Sequence, residues 1–184
     1  MGGLQGIKYR WLTWSAIALL ILAVMITGAR SETTTVTATV DYAKSGNTLE
    51  LLWPLTPESP VTTLRLEGIQ APDAEQTPWG NTARNCLKEV REQIVRVESD
   101  DWTPDAHNRL WAYVWNGKTL LNVQLLEQGC AYIAGDRLPY GHHTAALIYA
   151  QEKARLLGLG IWNPETPLRE TAKAFRRQSD AQSP

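Results

Sequence analysis

The chain has 184 residues, of which 43% are hydrophobic, and its formal net charge at pH 7 is −1. This length suffices for one compact domain of roughly 130 to 140 residues together with an N-terminal segment and a polar tail. Proteins that bind nucleic acid through their overall charge are basic, so the composition excludes that class, and any phosphate affinity must come from a local cluster of cations.

The first predicted element is an apolar segment near the N-terminus. Residues 11–28 contain no charged side chain, and about 18 residues is near the lower limit for a helix that crosses a membrane. Lys8 and Arg10 precede this segment, which favours a cytoplasmic N-terminus, residues 1–10, and a domain on the extracytoplasmic side. A secretory signal peptide has the same layout, with residues 27–29 as a cleavage site, so secretion is the alternative.

Strands are predicted after a polar linker, residues 29–35. Val36, Ala38 and Val40 alternate with polar residues, which is the two-residue period of a strand with one buried face. A turn at residues 45–47 and two further strands, at residues 48–52 and 61–69, are expected next. The domain, residues 36–165, is therefore predicted to begin with a β-meander.

The middle of the domain is predicted to combine helices and strands. Thr77 and Pro78 are typical of a helix start, with threonine as the N-cap and proline at the first helical position, and this helix is expected to continue toward Gln93. Asn116–Gly117 is a strong hairpin signal because both positions tolerate positive φ. The remaining expected elements are strands at residues 94–97 and 110–115 and helices at residues 120–128 and 144–157.

This order of elements predicts the fold class. Five strands with three helices between and after them indicate a mainly β, α+β domain built on a five-stranded OB-like Greek-key barrel. One N-terminal transmembrane helix would precede it. The tail, residues 166–184, is polar and is expected to be disordered.

Several motifs in a fixed order carry a family resemblance. Thr63–Asp73 has the sequence TLRLEGIQAPD, an arginine inside an apolar strand followed by Gly-Ile-x-Ala-Pro and an acid. The later motifs are Trp79–Gly80, Asp105–Arg109 before Leu-x-Ala-Tyr, the helix end LLEQG and Gly160–Trp162. By their order and spacing, residues 35–163 resemble the staphylococcal nuclease, or thermonuclease-like, family. The resemblance implies an OB-like barrel, nucleic-acid phosphodiester cleavage as the founding activity and calcium as the founding cofactor.

The resemblance places the family's two catalytic arginines at Arg65 and Arg109. Guanidinium suits this role because its planar fork donates two parallel hydrogen bonds to phosphate and stays charged at any working pH. The alternative is that both arginines serve as partners of surface ion pairs. These pairs would join Arg65 to Asp41 or Glu67, and Arg109 to Asp105.

Asp73 takes the position of the family's glutamate that acts on the attacking water. It keeps the charge but retracts the carboxylate by one methylene, and a displacement of about 1 Å can cost on the order of a hundredfold in rate. The alternative role for Asp73 is that of a turn residue beside Pro72.

The resemblance also locates the calcium ligands. The family's two calcium aspartates correspond to Asn47, in the turn Gly46–Thr48, and to Gln70. Amide oxygens can coordinate calcium, but calcium affinity depends strongly on the number of ligand charges, and two are missing here. A degenerate site with weak calcium binding, or none, is therefore expected, with another divalent metal as the alternative cofactor.

Substrate contacts are predicted at three further residues. His107 stands where the family usually has a tyrosine, and a surface loop histidine is the alternative interpretation. Arg137 and Tyr140 are positioned to bind phosphate or to stack on a base. The expected partner is nucleic acid or another phosphate-bearing ligand.

The chain has two cysteines, Cys86 and Cys130. Outside the cytoplasm they could form one disulfide, which would stabilise the fold by roughly 4 kcal/mol in the chain-entropy model. Two buried free thiols are the alternative.

Two functions of different classes follow from these assignments. The first is a membrane-anchored nuclease-like domain whose calcium-dependent cleavage is weak or lost while phosphate or nucleic-acid binding persists. The alternative is an active extracytoplasmic nuclease that hydrolyses DNA or RNA phosphodiesters with an altered metal requirement. Asn47 and Gln70 favour the first function, and Arg65, Arg109 and Asp73 favour the second.

Overall fold

The structure is a computed structural model that describes residues 34–135 and 143–182. This part of the chain contains eight strands: β1 (Thr35–Ser45), β2 (Thr48–Leu51), β3 (Thr63–Leu66), β4 (Ile69–Gln70), β5 (Ile94–Glu98), β6 (Arg109–Asn116), β7 (Thr119–Leu120) and β8 (Tyr132–Ile133). It contains four α-helices: α1 (Trp79–Asn85), α2 (Leu121–Glu127), α3 (Thr144–Leu156) and α4 (Ala172–Gln182). Two 3₁₀ helices, Lys88–Val90 and Gly160–Trp162, complete the set.

Five strands close into a barrel. The sheet order is β3-β2-β1-β5-β6-β7, and a parallel pairing of β3 with β6 joins the two sides. The long strand β1 makes this closure possible, because its first half pairs with β5 and its second half pairs with β2. Register shifts after Val40 and after Ala43 mark the part of β1 that pairs with β2. The predicted five-stranded OB-like barrel is confirmed.

The barrel interior is apolar, and one buried amide ties it to the helical side. Leu49, Leu64, Leu66 and Leu110 are at most 1% exposed. Asn122 of α2 is fully buried, accepts a hydrogen bond from the Val114 N–H, and donates to the carbonyl oxygens of Glu67 and Ala112. These bonds satisfy the polar group and fix the turn between β3 and β4 against β6.

Covalent and close backbone contacts hold the end of α2. A disulfide joins Cys86, at the end of α1, to Cys130, so the structure contains the bridged form of the two cysteines. The backbone segments that contain Gly129 and Gly160 pass close to each other. A Cβ atom on Gly129 would lie only 2.1 Å from the Leu159 carbonyl oxygen, so this position requires glycine. The Ile161 N–H donates to the Gly129 carbonyl at 2.9 Å, which fastens the second 3₁₀ helix to this crossing.

The first predicted helix is shorter than expected. It begins at Trp79, ends at Asn85 and gives way to a 3₁₀ helix at Lys88–Val90. The predicted threonine N-cap is wrong, because Pro78 holds the cap position and no side chain caps the helix. The other predicted strands and helices agree with the structure to within a few residues at each end.

The predicted disorder of the tail is wrong. Residues 172–182 form α4, a fourth helix where three were expected, and Ala172 is fully buried. A polar composition gave no sign of the tertiary contacts that hold this segment in place.

The predicted membrane segment, Trp11–Gly28, lies outside the described residues. Within the residues that are described, no helix has the length and apolar character needed to cross a membrane.

Candidate functional site

A cleft of about 930 Å³ opens beside the closing strands β3 and β6. Its described lining contains three arginines, one lysine and one histidine, and no aspartate or glutamate. The lining residues are Arg65, Gln70, His107, Arg109, Trp111, Tyr132, Ile133, Ala134, Gly135, Thr171, Lys173 and Arg176. A chain with a formal charge of −1 therefore carries a locally cationic cleft.

Strand alternation turns Arg65 toward this cleft. Its neighbours Leu64 and Leu66 are fully buried in the barrel, so the side chain between them lies on the opposite face of β3. The guanidinium donates through Nη1 to Thr48 Oγ1 at 2.9 Å and through Nη2 to Gln70 Oε1. The third nitrogen, Nε, is buried without a hydrogen-bond partner in the described part of the chain.

Arg109 is positioned by Asp105. Its Nε and Nη2 both donate to Asp105 Oδ2, at 2.9 and 2.7 Å. The other carboxylate oxygen accepts the backbone N–H groups of His107 and Arg109, and Trp111 Nε1 donates to Oδ2 at 3.2 Å. Partial burial acts to raise the pKa of Asp105, but the hydrogen bonds from Arg109 outweigh it and lower the pKa to about 2. One carboxylate thus organises the loop and orients the arginine.

The two arginines converge on one aromatic ring. The guanidinium carbons of Arg65 and Arg109 lie 5.8 and 6.0 Å from the centre of the Trp111 ring. Burial, together with the positive charges of Arg109 and Arg176, lowers the pKa of Arg65 to about 10. Arg65 stays charged at neutral pH, and a bound anion would stabilise that charge.

Asn47 and Gln70 are engaged in a hydrogen-bond network. The buried Asn47 donates through Nδ2 to the Ile69 carbonyl at 3.2 Å and to Gln70 Oε1 at 3.3 Å. Its own oxygen, Oδ1, accepts from the Ser45 hydroxyl at 3.2 Å. Gln70 Oε1 accepts from both Asn47 and Arg65. Both amide oxygens that a cation would need therefore accept hydrogen bonds from protein donors.

This donor set does not fit calcium. Neither Asn47 nor Gln70 supplies a charge, and the guanidinium bonded to Gln70 Oε1 would repel a cation at that oxygen. Among the residues that the structure describes, no group of three or more His, Cys, Asp and Glu side chains could hold a metal ion. The arrangement instead suits the binding of an anion.

Asp73 is connected to the cleft through an ion pair. Its Oδ2 accepts a hydrogen bond from Arg176 Nη1 at 2.7 Å, and its Oδ1 accepts the Glu75 N–H at 3.2 Å. The Asp73 N–H donates to Gln76 Oε1 at 2.7 Å. The residue therefore organises the turn before α1 and also holds Arg176, which lines the cleft.

The structure brings most of the predicted site residues together. His107 lines the cleft beside Arg109, whereas Arg137 and Tyr140 lie outside the described residues. Lys173 and Arg176 were not predicted as site residues, because their segment was expected to be disordered. Three cations within residues 173–177 were the available signal, but only the tertiary contacts show which of them face the cleft.

Comparisons with known proteins identify relatives of this chain. A family model described as staphylococcal nuclease homologue matches residues 63–164, a range that includes Arg65, Gln70, Asp73 and Arg109. Two proteins named thermonuclease, from Staphylococcus intermedius and Staphylococcus hyicus, are 32% and 31% identical over 105 and 106 residues. Each alignment covers 54% of this chain and 62% of the relative, so the chain spans less than two thirds of their length.

A third relative is similar over a longer range. A protein named uncharacterized endonuclease, from Haemophilus influenzae, is 29% identical over 161 residues. The alignment covers 87% of this chain and 82% of the relative. Similarity of this extent reaches beyond the family-model match.

Replacing Asp105 with asparagine should remove an acid-sensitive contribution to stability. The pKa of Asp105 is about 2 in the folded protein, below its ordinary value of 3.8. The ionised carboxylate therefore stabilises the fold above about pH 4, and this contribution is lost as the pH falls toward 2. Urea unfolding should show Asp105→Asn less stable than the wild type at about pH 6 and nearly equal to it at about pH 2.

The exposed Asp180 of α4 provides the control for this measurement. Asp180→Asn should follow the wild-type stability at both pH values. A stability deficit in Asp105→Asn that is equal at both pH values would contradict the assigned role of the carboxylate.

Proposed function

Since the chain belongs to the staphylococcal nuclease family, we propose that its domain binds nucleic acid through phosphate groups in the cationic cleft, with weak or lost calcium-dependent cleavage. The observation that carries this proposal is the hydrogen bond from Arg65 to Gln70. At the position of a calcium-binding aspartate, the chain has an amide whose oxygen accepts from a phosphate-binding arginine. The cleft has thus kept its anion-binding groups without the charged ligands of a cation.

Phosphate binding is supported by the arrangement of the two arginines. Arg65 and Arg109 both lie against the Trp111 ring. Although each already donates to protein acceptors, a guanidinium carries five N–H donors, so further N–H groups can bond phosphate oxygens. Burial and, after it, the positive charges of Arg109 and Arg176 lower the pKa of Arg65. A bound phosphate would relieve the part of this effect that comes from repulsion between the cations. Trp111, Tyr132 and His107 line the same cleft and offer ring faces on which bases can stack.

Weak cleavage is supported by the residues at the positions of the family's glutamate and calcium ligands. Asp73 has a shorter side chain than the family's glutamate and forms an ion pair with Arg176. The pair occupies Oδ2 of the carboxylate that, in the family, acts on the attacking water. Asn47 and Gln70 supply no charge for a calcium ion.

The alternative function is an active nuclease with an altered metal requirement. The relatives named thermonuclease and endonuclease favour it, as does the presence of Arg65, Arg109 and Asp73 together. In that case a divalent metal other than calcium would be needed to orient the attacking water.

We further propose that residues 11–28 anchor the domain on the extracytoplasmic side of a membrane, with secretion after cleavage as the alternative. Lys8 and Arg10 before the apolar segment support this orientation. The Cys86–Cys130 disulfide supports an oxidising compartment.

A reporter enzyme that is active only after export, fused to the C-terminus of the full-length chain, should be active and should sediment with membranes. An inactive reporter on an intact fusion would contradict export.

The arginine pair should dominate the binding of single-stranded nucleic acid. Arg65→Ala and Arg109→Ala should each weaken binding of an oligonucleotide of about eight nucleotides by roughly tenfold or more. Each variant removes a charge-assisted contact to phosphate. Fluorescence anisotropy with the purified full-length chain measures the affinities.

Arg91→Ala is the matched control for this measurement. Arg91 is exposed, forms an ion pair with Glu92 and is not among the described residues that line the cleft. Its replacement should change affinity by less than about twofold. Equal effects of Arg91→Ala and Arg65→Ala would show that binding depends on general charge and not on the cleft.

Restoring the two missing charges should restore calcium binding. The full-length wild type should show little or no calcium binding by titration calorimetry, whereas the double variant Asn47→Asp, Gln70→Asp should bind calcium measurably. The control variant Asn81→Asp, Gln93→Asp adds the same two charges at exposed positions and should not bind.

Cleavage of single-stranded DNA separates the two candidate functions. The wild type is assayed with calcium, with other divalent metals and with chelator, and no strong cleavage is expected. Metal-dependent cleavage that disappears in the Arg65→Ala, Arg109→Ala variant would establish the active nuclease instead.

A further inference from the structure

The C-terminal helix α4 is fastened to the cleft at three places. The Ala172 N–H donates to the hydroxyl of Tyr132 in β8 at 2.8 Å. Gln76 Nε2 donates to the Glu170 carbonyl at 3.1 Å, just before the helix begins. Arg176 reaches Asp73 at 2.7 Å. Two of these contacts come from the turn before α1 and one comes from β8. Since Thr171, Lys173 and Arg176 line the cleft, the start of α4 forms one of its walls.

This wall adds cations to the arginine pair. Thr171, Lys173 and Arg176 line the same cleft as Arg65 and Arg109. Like charges gathered in one cleft repel one another, and the pairs of Arg109 with Asp105 and of Arg176 with Asp73 offset part of this repulsion. A bound anion would offset more of it. Such an arrangement is typical of a site whose ligand carries several negative charges.

We propose that Lys173 and Arg176 form a second phosphate subsite, so that the cleft holds two phosphates of one single-stranded nucleic-acid chain. Arg65 and Arg109 hold the first phosphate, so this inference rests on the function proposed above. The second phosphate lies toward α4, on the side of β8. The C-terminal segment is therefore part of the binding surface.

The ion pair with Asp73 positions Arg176 for this role. Arg176 donates to Asp73 through Nη1, and a guanidinium carries several N–H donors, so one side chain can contact a carboxylate and a phosphate together. The side chain of Arg176 is 51% exposed, whereas that of Asp73 is 19% exposed. The carboxylate thus lies behind the arginine and leaves part of the guanidinium open to a ligand.

A single strand suits the rest of the cleft. Trp111 lies against Arg65 and Arg109, Tyr132 contacts the start of α4, and both line the cleft. Base stacking on aromatic rings tolerates any sequence. The bases of a duplex are already stacked on one another and are not available for such contacts. The expected ligand is therefore an unpaired DNA or RNA strand.

The test measures binding of two ligands to the full-length chain. A nucleoside monophosphate occupies the first subsite alone, and an oligonucleotide of about eight nucleotides, as DNA or as RNA, reaches both subsites. The double variant Lys173→Ala, Arg176→Ala should weaken oligonucleotide binding at least about tenfold and leave monophosphate binding nearly unchanged. The slope of log affinity against log salt should fall by about 0.7 for each phosphate that the variant no longer binds.

Two further variants distinguish charge from a structural effect of α4. Arg176→Lys keeps the charge and should retain the wild-type salt slope. Arg177→Ala removes the same charge from the next residue of the helix, which is exposed and not among the described lining residues, and should bind like the wild type.

The outcomes separate this inference from the proposed function. Oligonucleotide binding that is lost in Arg65→Ala but unchanged in Lys173→Ala, Arg176→Ala would overturn the second subsite and leave the proposed function standing. If Lys173→Ala, Arg176→Ala weakens the binding of both ligands equally and leaves the salt slope unchanged, the second subsite is also overturned. In that case α4 would only support the structure of the cleft. A wild type that binds no oligonucleotide would refute both.

Discussion

The parallel pairing of β3 with β6 is the constraint on which the rest of the structure depends. It closes the barrel, and its register sets Arg65 opposite Trp111 and Thr63 opposite Arg109. Two arginines far apart in the sequence therefore meet over one indole ring. Because the inner faces of both strands are packed with leucine and valine, a slip by one residue would turn Arg65 into the core. Burial of the barrel interior thus fixes the geometry of the cleft.

The cleft concentrates positive charge in a chain whose formal net charge is −1. Asp105 and Asp73 lie behind the cations and each hold one arginine, through the pairs with Arg109 and Arg176. The carboxylates orient the arginines and do not line the described part of the cleft. This arrangement keeps the guanidinium groups directed at a ligand while limiting their mutual repulsion, which is the electrostatic basis for binding an anion.

The polar cluster beside the barrel is the basis for proposing that this member of a nuclease family has weak or lost calcium-dependent cleavage. Asn47 and Gln70 preserve the packing of the turn by hydrogen bonding to each other, and Gln70 also accepts from Arg65. An aspartate at Gln70 could accept the same arginine while supplying charge to a cation. The amide keeps the arginine in place but supplies no such charge, and this difference is what the proposed function rests on.

The sequence by itself indicated a barrel and the order of its strands along the chain, because alternation and turn residues are local signals. It located Arg65 and Arg109 through the family resemblance of the motifs that contain them. It also located Asn47 and Gln70 through the motifs around them. Only the tertiary structure decided the role of the C-terminal segment. Its polar composition predicted disorder, yet Ala172 is buried and Arg176 pairs with a carboxylate 103 residues away in sequence. Such contacts leave no local pattern, because their stability comes from partners that only the folded barrel brings within reach.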